Sequence, residues 1–133
     1  MIDVENEIFT ALATVLRSEY PSIYVASVKK RIPASFPAVQ IIETSNVVST
    51  DTSDTAHYEN HADLMYEVNV YSNLTSGAKK QARSILNIVD DKFEELGFVR
   101  SLCEPIDNSD SSIFRYVARY IGRVGRNKVI YQR

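Results

Sequence analysis

The chain has 133 residues and a mass of 15.0 kDa, which is the size of one compact domain and argues against two. With 44% hydrophobic and 24% charged residues, the composition excludes disordered and low-complexity classes. No apolar run is long enough to span a membrane, and the first residues do not resemble a signal peptide. The lone Cys103 excludes an internal disulfide. We therefore expect a soluble, non-secreted protein from a reducing compartment.

The net charge of −2 hides a strong asymmetry along the chain. All 17 acidic residues lie in residues 1–110, whereas residues 111–133 carry six basic residues and no acidic one. A basic segment on an acidic body is compatible with nucleic-acid binding. It is equally compatible with self-association in which the basic segment of one copy contacts an acidic face of another.

Hydrophobic periodicity predicts helices and strands in the first half of the chain. Apolar residues at helical spacing predict a first helix over 3–18, followed by strands over 23–28 and 38–43. Residues 44–56 contain seven Ser or Thr and predict a long polar loop or the tip of a hairpin. Strict alternation over 62–71 predicts a half-buried strand.

The second half of the chain continues with a helix and further strands. An apolar stripe from Ala78 to Gly97 predicts a helix of about twenty residues, and 98–103 predicts a strand before a turn-rich segment over 104–110. A long strand is expected over 113–124, and 126–133 is expected to form a C-terminal arm or a short edge strand.

These elements predict the α+β class in a single domain over 1–133. We expect a mainly antiparallel sheet of about four to five strands in the order α-β-β-β-α-β-β, with two helices packed on one face.

Residue types that carry catalysis or bind metals do not assemble into a recognisable site. The segment from His57 to His61 leads into a strand and lacks the order of a zinc-protease motif. Cys103 lies in a strand pattern with no nearby histidine, and four glycines cannot build a phosphate-binding loop. We therefore predict that the protein is not an enzyme and has no catalytic residue, metal or cofactor.

The second predicted helix has an unusual distribution of charge. Its first half is basic, with Lys79, Lys80 and Arg83, and its second half is acidic, with Asp90, Asp91 and Glu94. This is the reverse of what the helix dipole favours. A solvated surface explains the pattern, and so does a head-to-tail contact in which each half meets opposite charge on a neighbouring copy.

Three arginines recur at every fourth residue of the last long strand. Arg115, Arg119 and Arg123 should project from one face about 13 Å apart, a spacing that does not match consecutive phosphates, with no aromatic residue between them to stack bases. A solvated edge strand, a channel lining or pairing with carboxylates such as Asp90 and Glu94 of an adjacent subunit fits equally well. We assign the row to a subunit interface.

The predicted elements follow one another in a distinctive order: the acidic first helix, the strand pair around 25 and 39–42, the strand 66–73 leading into helix 79–96, the step 96–98 and the late strand 114–120. This order resembles that of tail-terminator, or tail-completion, proteins of long-tailed bacteriophages and prophages, which join tail to head. The resemblance covers nearly the whole chain.

The resemblance implies a non-enzymatic virion assembly protein. Such proteins form a ring, typically of six copies, that caps the tail tube, stops its polymerisation and docks on the head connector. The implied partners are other copies of the chain, the tube protein and the connector or stopper protein, with DNA only as cargo in the lumen and no membrane. The implied location is the tail–head junction of the virion, after assembly in the bacterial cytoplasm.

A second interpretation is a small nucleic-acid-binding or regulatory domain that uses the basic C-terminal strand. The two differ in salt dependence, because phosphate contacts lose affinity steeply as salt rises. The first interpretation predicts self-association or tube capping with little binding of DNA.

Overall fold

The computed structural model describes residues 1–28, 33, 35–48, 61–107 and 112–125, together with the backbone of 130–131. Two helices and six strands lie in these residues, which confirms the α+β class and the predicted order of elements. In chain order they are α1 (Glu5–Glu19), β1 (Tyr24–Ala26), β2 (Ala38–Val48), β3 (His61–Ser72), α2 (Ala78–Glu95), β4 (Val99–Ile106), β5 (Phe114–Gly125) and β6 (Ile130–Tyr131).

The strands form one mixed, mainly antiparallel sheet. Its order is β1-β2-β3-β5-β4, and β6 also pairs with β5, so the sheet has one strand more than the upper expectation. Only β1 and β2, among the described strands, pair in parallel. The central strands β3 and β5 pair antiparallel without a register shift from His61 opposite Gly125 to Ser72 opposite Phe114.

Both helices cover the same face of the sheet, as the sequence predicts. One set of alternate β3 side chains is buried in the main core: Ala62, Leu64, Tyr66, Val68 and Val70. The buried stripe of α2 and the buried residues of α1 belong to the same core. The opposite side of the sheet has no helix among the described residues, and we call it the open face.

The core under α2 is built from aromatic rings. Phe93 of α2 stacks on Tyr120 of β5 with ring centroids 4.2 Å apart, and it contacts the edge of Phe98 at 5.3 Å. Phe98 also meets Tyr66 at 5.7 Å. Offset and edge-to-face contacts of this kind add to the large apolar area that each ring buries, so α2 is held firmly against β3 and β5.

Two predicted loop boundaries are wrong. The loop or hairpin tip predicted from 44 begins too early, because residues 44–48 belong to β2, where their backbone continues the antiparallel ladder with β3 and the Thr44 hydroxyl donates to the Met65 carbonyl. The remainder of that prediction, 49–56, lies outside the described residues. The turn-rich segment predicted from 104 also begins too early, since β4 continues to Ile106. Pro105 is tolerated there because β4 is an edge strand.

The ends of several elements differ from expectation by one to three residues, as hydrogen bonding at element ends commonly allows. Of the predicted C-terminal arm 126–133, the structure describes only the backbone of β6, which pairs with β5 near Arg123 and Val124. Neither helix of the described chain is long and apolar enough to cross a membrane.

Tyr66 and Glu43 place a polar contact at the margin of the main core. The Tyr66 hydroxyl donates to the Glu43 carboxylate at 3.0 Å. Partial burial raises the pKa of Glu43 above its usual value, and the nearby Glu5 and Asp3 carboxylates add to that rise, while the bond from Tyr66 opposes it. The folded protein therefore retains the Glu43 proton to higher pH than the unfolded chain does.

Glu43→Gln should remove a pH-dependent loss of stability. A raised pKa in the folded state means that stability present at low pH is lost as pH rises through the titration of Glu43. Urea unfolding at about pH 4 and about pH 7 should show the variant gaining stability relative to wild type at the higher pH. Glu19→Gln, which removes an exposed carboxylate, is the matched control; an equal gain there would contradict the assignment.

Gly122→Ala should destabilise the fold by about 1–3 kcal/mol through overpacking. A methyl group at position 122 would lie 2.7 to 2.9 Å from three atoms of the Phe98 ring, and that ring is fixed between Tyr66 and Phe93. Chemical unfolding measures the loss. In a Phe98→Ala background the same change should cost little, and an undiminished cost would refute the contact.

Candidate functional site

The first turn of α2 borders a basic recess. Gly77 begins the helix with a φ of 82°, which suits glycine, and Lys79 and Lys80 are exposed beside it. Arg83 lies over the Tyr116 ring at 5.7 Å and donates to its hydroxyl at 3.4 Å. These residues, with Ser84, line a cavity of about 470 Å³ that we call the basic recess. Lys79 and Lys80 form no ion pair within the described part of the chain.

The last turns of α2 border a second cavity of opposite charge. One carboxylate oxygen from each of Asp90, Asp91 and Glu94 lies within 4.8 Å of those of the other two. Asp90 accepts hydrogen bonds from Arg100 and from the Tyr120 hydroxyl, both at 2.9 Å. Burial and the bond to Asp90 raise the pKa of Tyr120, so its hydroxyl remains a donor. Asp90, Glu94, Arg100 and Tyr120 are among the residues that line an adjoining cavity of about 530 Å³, which we call the acidic recess; Asp91 lies beside it.

The charged residues of the two ends of α2 lie on one side of the helix and follow the same order around its axis. Each basic residue has an acidic counterpart eleven positions later: Lys79 and Asp90, Lys80 and Asp91, Arg83 and Glu94. Eleven residues make about three turns of helix and about 16 Å of rise. The exposed side of α2 therefore carries a positive end and a negative end in line.

The arginine row lies on the open face, and its members are paired within the chain. The Arg119 guanidinium is 3.3 Å from Glu67 and that of Arg123 is 2.9 Å from Asp63. Each of these acids is the direct partner of its arginine in the β3–β5 register. Two of the three arginines are thus neutralised by carboxylates of the neighbouring strand.

Arg115, the third arginine, is held by neutral groups. It donates to the Asn69 side-chain oxygen at 2.7 and 3.1 Å and lies over the Tyr71 ring at 5.5 Å. Asn69 is fully buried and also donates to Glu67 at 3.3 Å. The row is therefore part of a polar network on β3 and β5 and does not form a free cationic stripe.

The structure separates the two sets of predicted interface residues. The charged side of α2 is on the helix-bearing side of the sheet, and the arginine row is on the open face. Sequence reasoning missed Arg100, Glu67 and Asp63 as charge partners. Alternation already places Glu67 and Asp63 on the same face of their strand, but only the strand register shows which arginine each meets. In the segment from His57 to His61, residues 57–60 lie outside the described residues.

A scan against models of known protein families gives no match, and a search of curated proteins gives none either.

Loss of the Arg119 charge should cost more stability than loss of the Arg123 charge. The Glu67 side chain is only 12% exposed and that of Asp63 is 46% exposed, so an unpaired Glu67 is the harder of the two to solvate. Arg119→Met should destabilise by about 1–3 kcal/mol and Arg123→Met by less than about 1 kcal/mol.

Urea unfolding of the two variants measures this difference, since methionine retains much of the apolar stem of arginine in both. Adding Glu67→Gln to Arg119→Met should recover much of the loss, because no buried charge is then left unpaired. Equal losses for the two single variants would contradict the unequal role of the pairs.

Proposed function

We propose that this protein is a non-enzymatic virion assembly protein, a tail terminator of the long-tailed phage type. It forms a head-to-tail ring, taken as six copies from the resemblance, that caps the tail tube, stops its polymerisation and joins it to the head connector. The tube protein and the connector are its partners, and the tail–head junction is its place of action.

The observation that carries the proposal is the pair of oppositely charged recesses on α2. A ring requires heterologous contacts, in which one patch of a subunit meets a different patch of the next. Two such complementary patches lie on α2: the basic recess with Lys79, Lys80 and Arg83, and the acidic recess with Glu94 together with the neighbouring Asp91. They lie about 16 Å apart along one helix, so the patch that meets one neighbour is distinct from the patch that meets the other.

The pairing of the arginine row argues against the nucleic-acid interpretation. Binding to DNA requires basic side chains that replace condensed counterions at phosphates. Arg119 and Arg123 already face carboxylates, and Arg115 is engaged by Asn69. The described arginines therefore do not offer the free cationic groups that retention of DNA requires, and we keep the row as a contact surface between subunits.

Charge reversal at either recess should weaken self-association. Lys80→Glu and Asp91→Lys each place like charges at the proposed contact, so each should lower the mass of the associated species at a given concentration. The combined variant should restore association, because its charges are again complementary. Light scattering over a range of concentrations at low and moderate salt measures the mass, and negative-stain images show whether large species have a central hole.

Arg17→Glu and Glu19→Lys are matched controls, because they make the same charge changes at exposed positions of α1. They should associate as wild type does. Unchanged association of both α2 variants would contradict the proposed ring contact. Salt-sensitive retention of double-stranded DNA by the wild-type protein would instead support the nucleic-acid interpretation.

A further inference from the structure

The open face is covered unevenly along its strands. Near one end, Ala38, Tyr71 and Ile113 form a small core of their own, with Tyr24 and Phe36 packed against it. Toward the other end the residues of this face are half-buried or exposed. Met65 and Ile121 are half-buried, and Val99 is 43% exposed. This part of the open face, which no described element covers, spans β2, β3, β5 and β4, and we call it the uncovered part.

One row of directly paired residues crosses all four of these strands. The register places Ile42 beside Glu67, Glu67 beside Arg119, and Arg119 beside Leu102. All four side chains lie on the open face. Side chains alternate between the two faces along a strand, and the residues next to Glu67 and Arg119 in the sequence, Tyr66 and Tyr120, belong to the core. The row thus has the order apolar, acidic, basic, apolar.

The next row toward the uncovered end is mainly apolar. Ser45 pairs with Met65, Met65 with Ile121, and Ile121 with Val99. Beyond it lies the Asp63–Arg123 ion pair. An apolar strip between two rows of paired charges has the composition of a protein interface, with an apolar centre and a polar rim.

The two outer strands of this surface also match each other. β2 has a register shift between Glu43 and Ser45, and β4 has one between Arg100 and Leu102. The shift in β2 lies between the levels of Tyr66 and Met65, and the shift in β4 lies between the levels of Tyr120 and Arg119. Tyr66 and Tyr120 are direct partners, so the two irregularities flank one pair from opposite sides. A bulge bends its strand and increases its twist, so both flanks of the surface change direction near this pair.

We propose that this surface, formed by the two rows and the Asp63–Arg123 pair, binds a second copy of itself face to face. The twofold axis runs parallel to the strands, between the two facing sheets and midway between β3 and β5. It leaves each residue at the same position along the strand direction and places β3 of one copy opposite β5 of the other. It places Glu67 opposite Arg119 of the other copy, and Met65 opposite Ile121. The outer strands exchange in the same way, so that Ile42 faces Leu102.

The proposed contact is complementary at the charged positions and at most of the apolar ones, the exception being Ser45, which faces Val99. Each acidic residue meets a basic one, and each carboxylate is shared between two guanidinium groups, which extends the ion pairs into a network. Since the charges are already paired in the single copy, association brings no unpaired charge out of water. The apolar strip supplies the net driving force when its exposed area is removed from water, and aligned packing of two twisted sheets is a common arrangement.

A charge-swapped chain tests the symmetry of this contact directly. The four changes Glu67→Arg, Arg119→Glu, Asp63→Arg and Arg123→Glu keep each ion pair within the chain but reverse its direction. Two swapped copies remain complementary, whereas a swapped copy and a wild-type copy place like charges opposite each other. We expect wild type and swapped chain each to form dimers, and subunit exchange between differently labelled proteins to give far fewer mixed dimers than random pairing.

Met65→Lys tests the same surface without altering an ion pair. It places a charge in the centre of the apolar strip, so the dimer dissociation constant measured by analytical ultracentrifugation should rise about a hundredfold or more. Val28→Lys, at a residue that is 59% exposed outside this surface, should leave it unchanged. Circular dichroism checks that each variant is folded, and Met65→Lys alone decides the question if the swapped chain is not.

The face-to-face contact uses different residues from the proposed ring contact, so an experiment can contradict either one without contradicting the other. In the Lys80→Glu or Asp91→Lys variant, face-to-face dimers should persist while larger species are lost. In the Lys80→Glu background, which removes the proposed ring contact, free mixing of swapped and wild-type chains within dimers would overturn the proposal. So would a wild-type protein with no face-to-face dimer at any concentration, or dimerisation of the folded Met65→Lys variant equal to that of wild type.

Discussion

The in-register pairing of β3 with β5 is the constraint on which the rest of the structure depends. It puts Tyr66 opposite Tyr120 on the core face and Glu67 opposite Arg119 on the open face. Because side chains alternate along a strand, a shift of one residue in either strand would exchange these faces and turn the arginines toward the helices. The aromatic core and the ion pairs are thus two results of one register.

Much of the fold follows from local patterns that act within a single element. Alternation predicts which side chains of β3 and β5 enter the core, and the apolar stripe and Gly97 define α2. Partners across strands are different, since they depend on a register between segments about 50 residues apart. The sequence therefore predicts that Arg119 leaves the core, but not that Glu67 is the residue it meets. Composition predicts a loop or hairpin tip for residues 44–48, whereas backbone pairing with β3 keeps them in β2 despite their polar side chains.

The charged side of α2 and the paired charges of the open face have different physical characters. On α2, like charges are grouped at each end, and Lys79 and Lys80 have no carboxylate partner within the described residues. On the open face, opposite charges alternate and Arg119 is satisfied in the single copy. The first arrangement favours contacts between unlike ends, whereas the second favours a contact between identical faces.

The charge order of α2 also bears on how the chain reaches its native state. Basic residues in the first turn and acidic residues in the last turns oppose the backbone dipole, and no side chain caps the helix start. As a free segment α2 would therefore be a poor helix, and its stability comes from burial of residues such as Ile85 and Phe93 against the sheet. We therefore expect α2 to become stable only when β3 and β5, which lie on either side of it in the sequence, have come together.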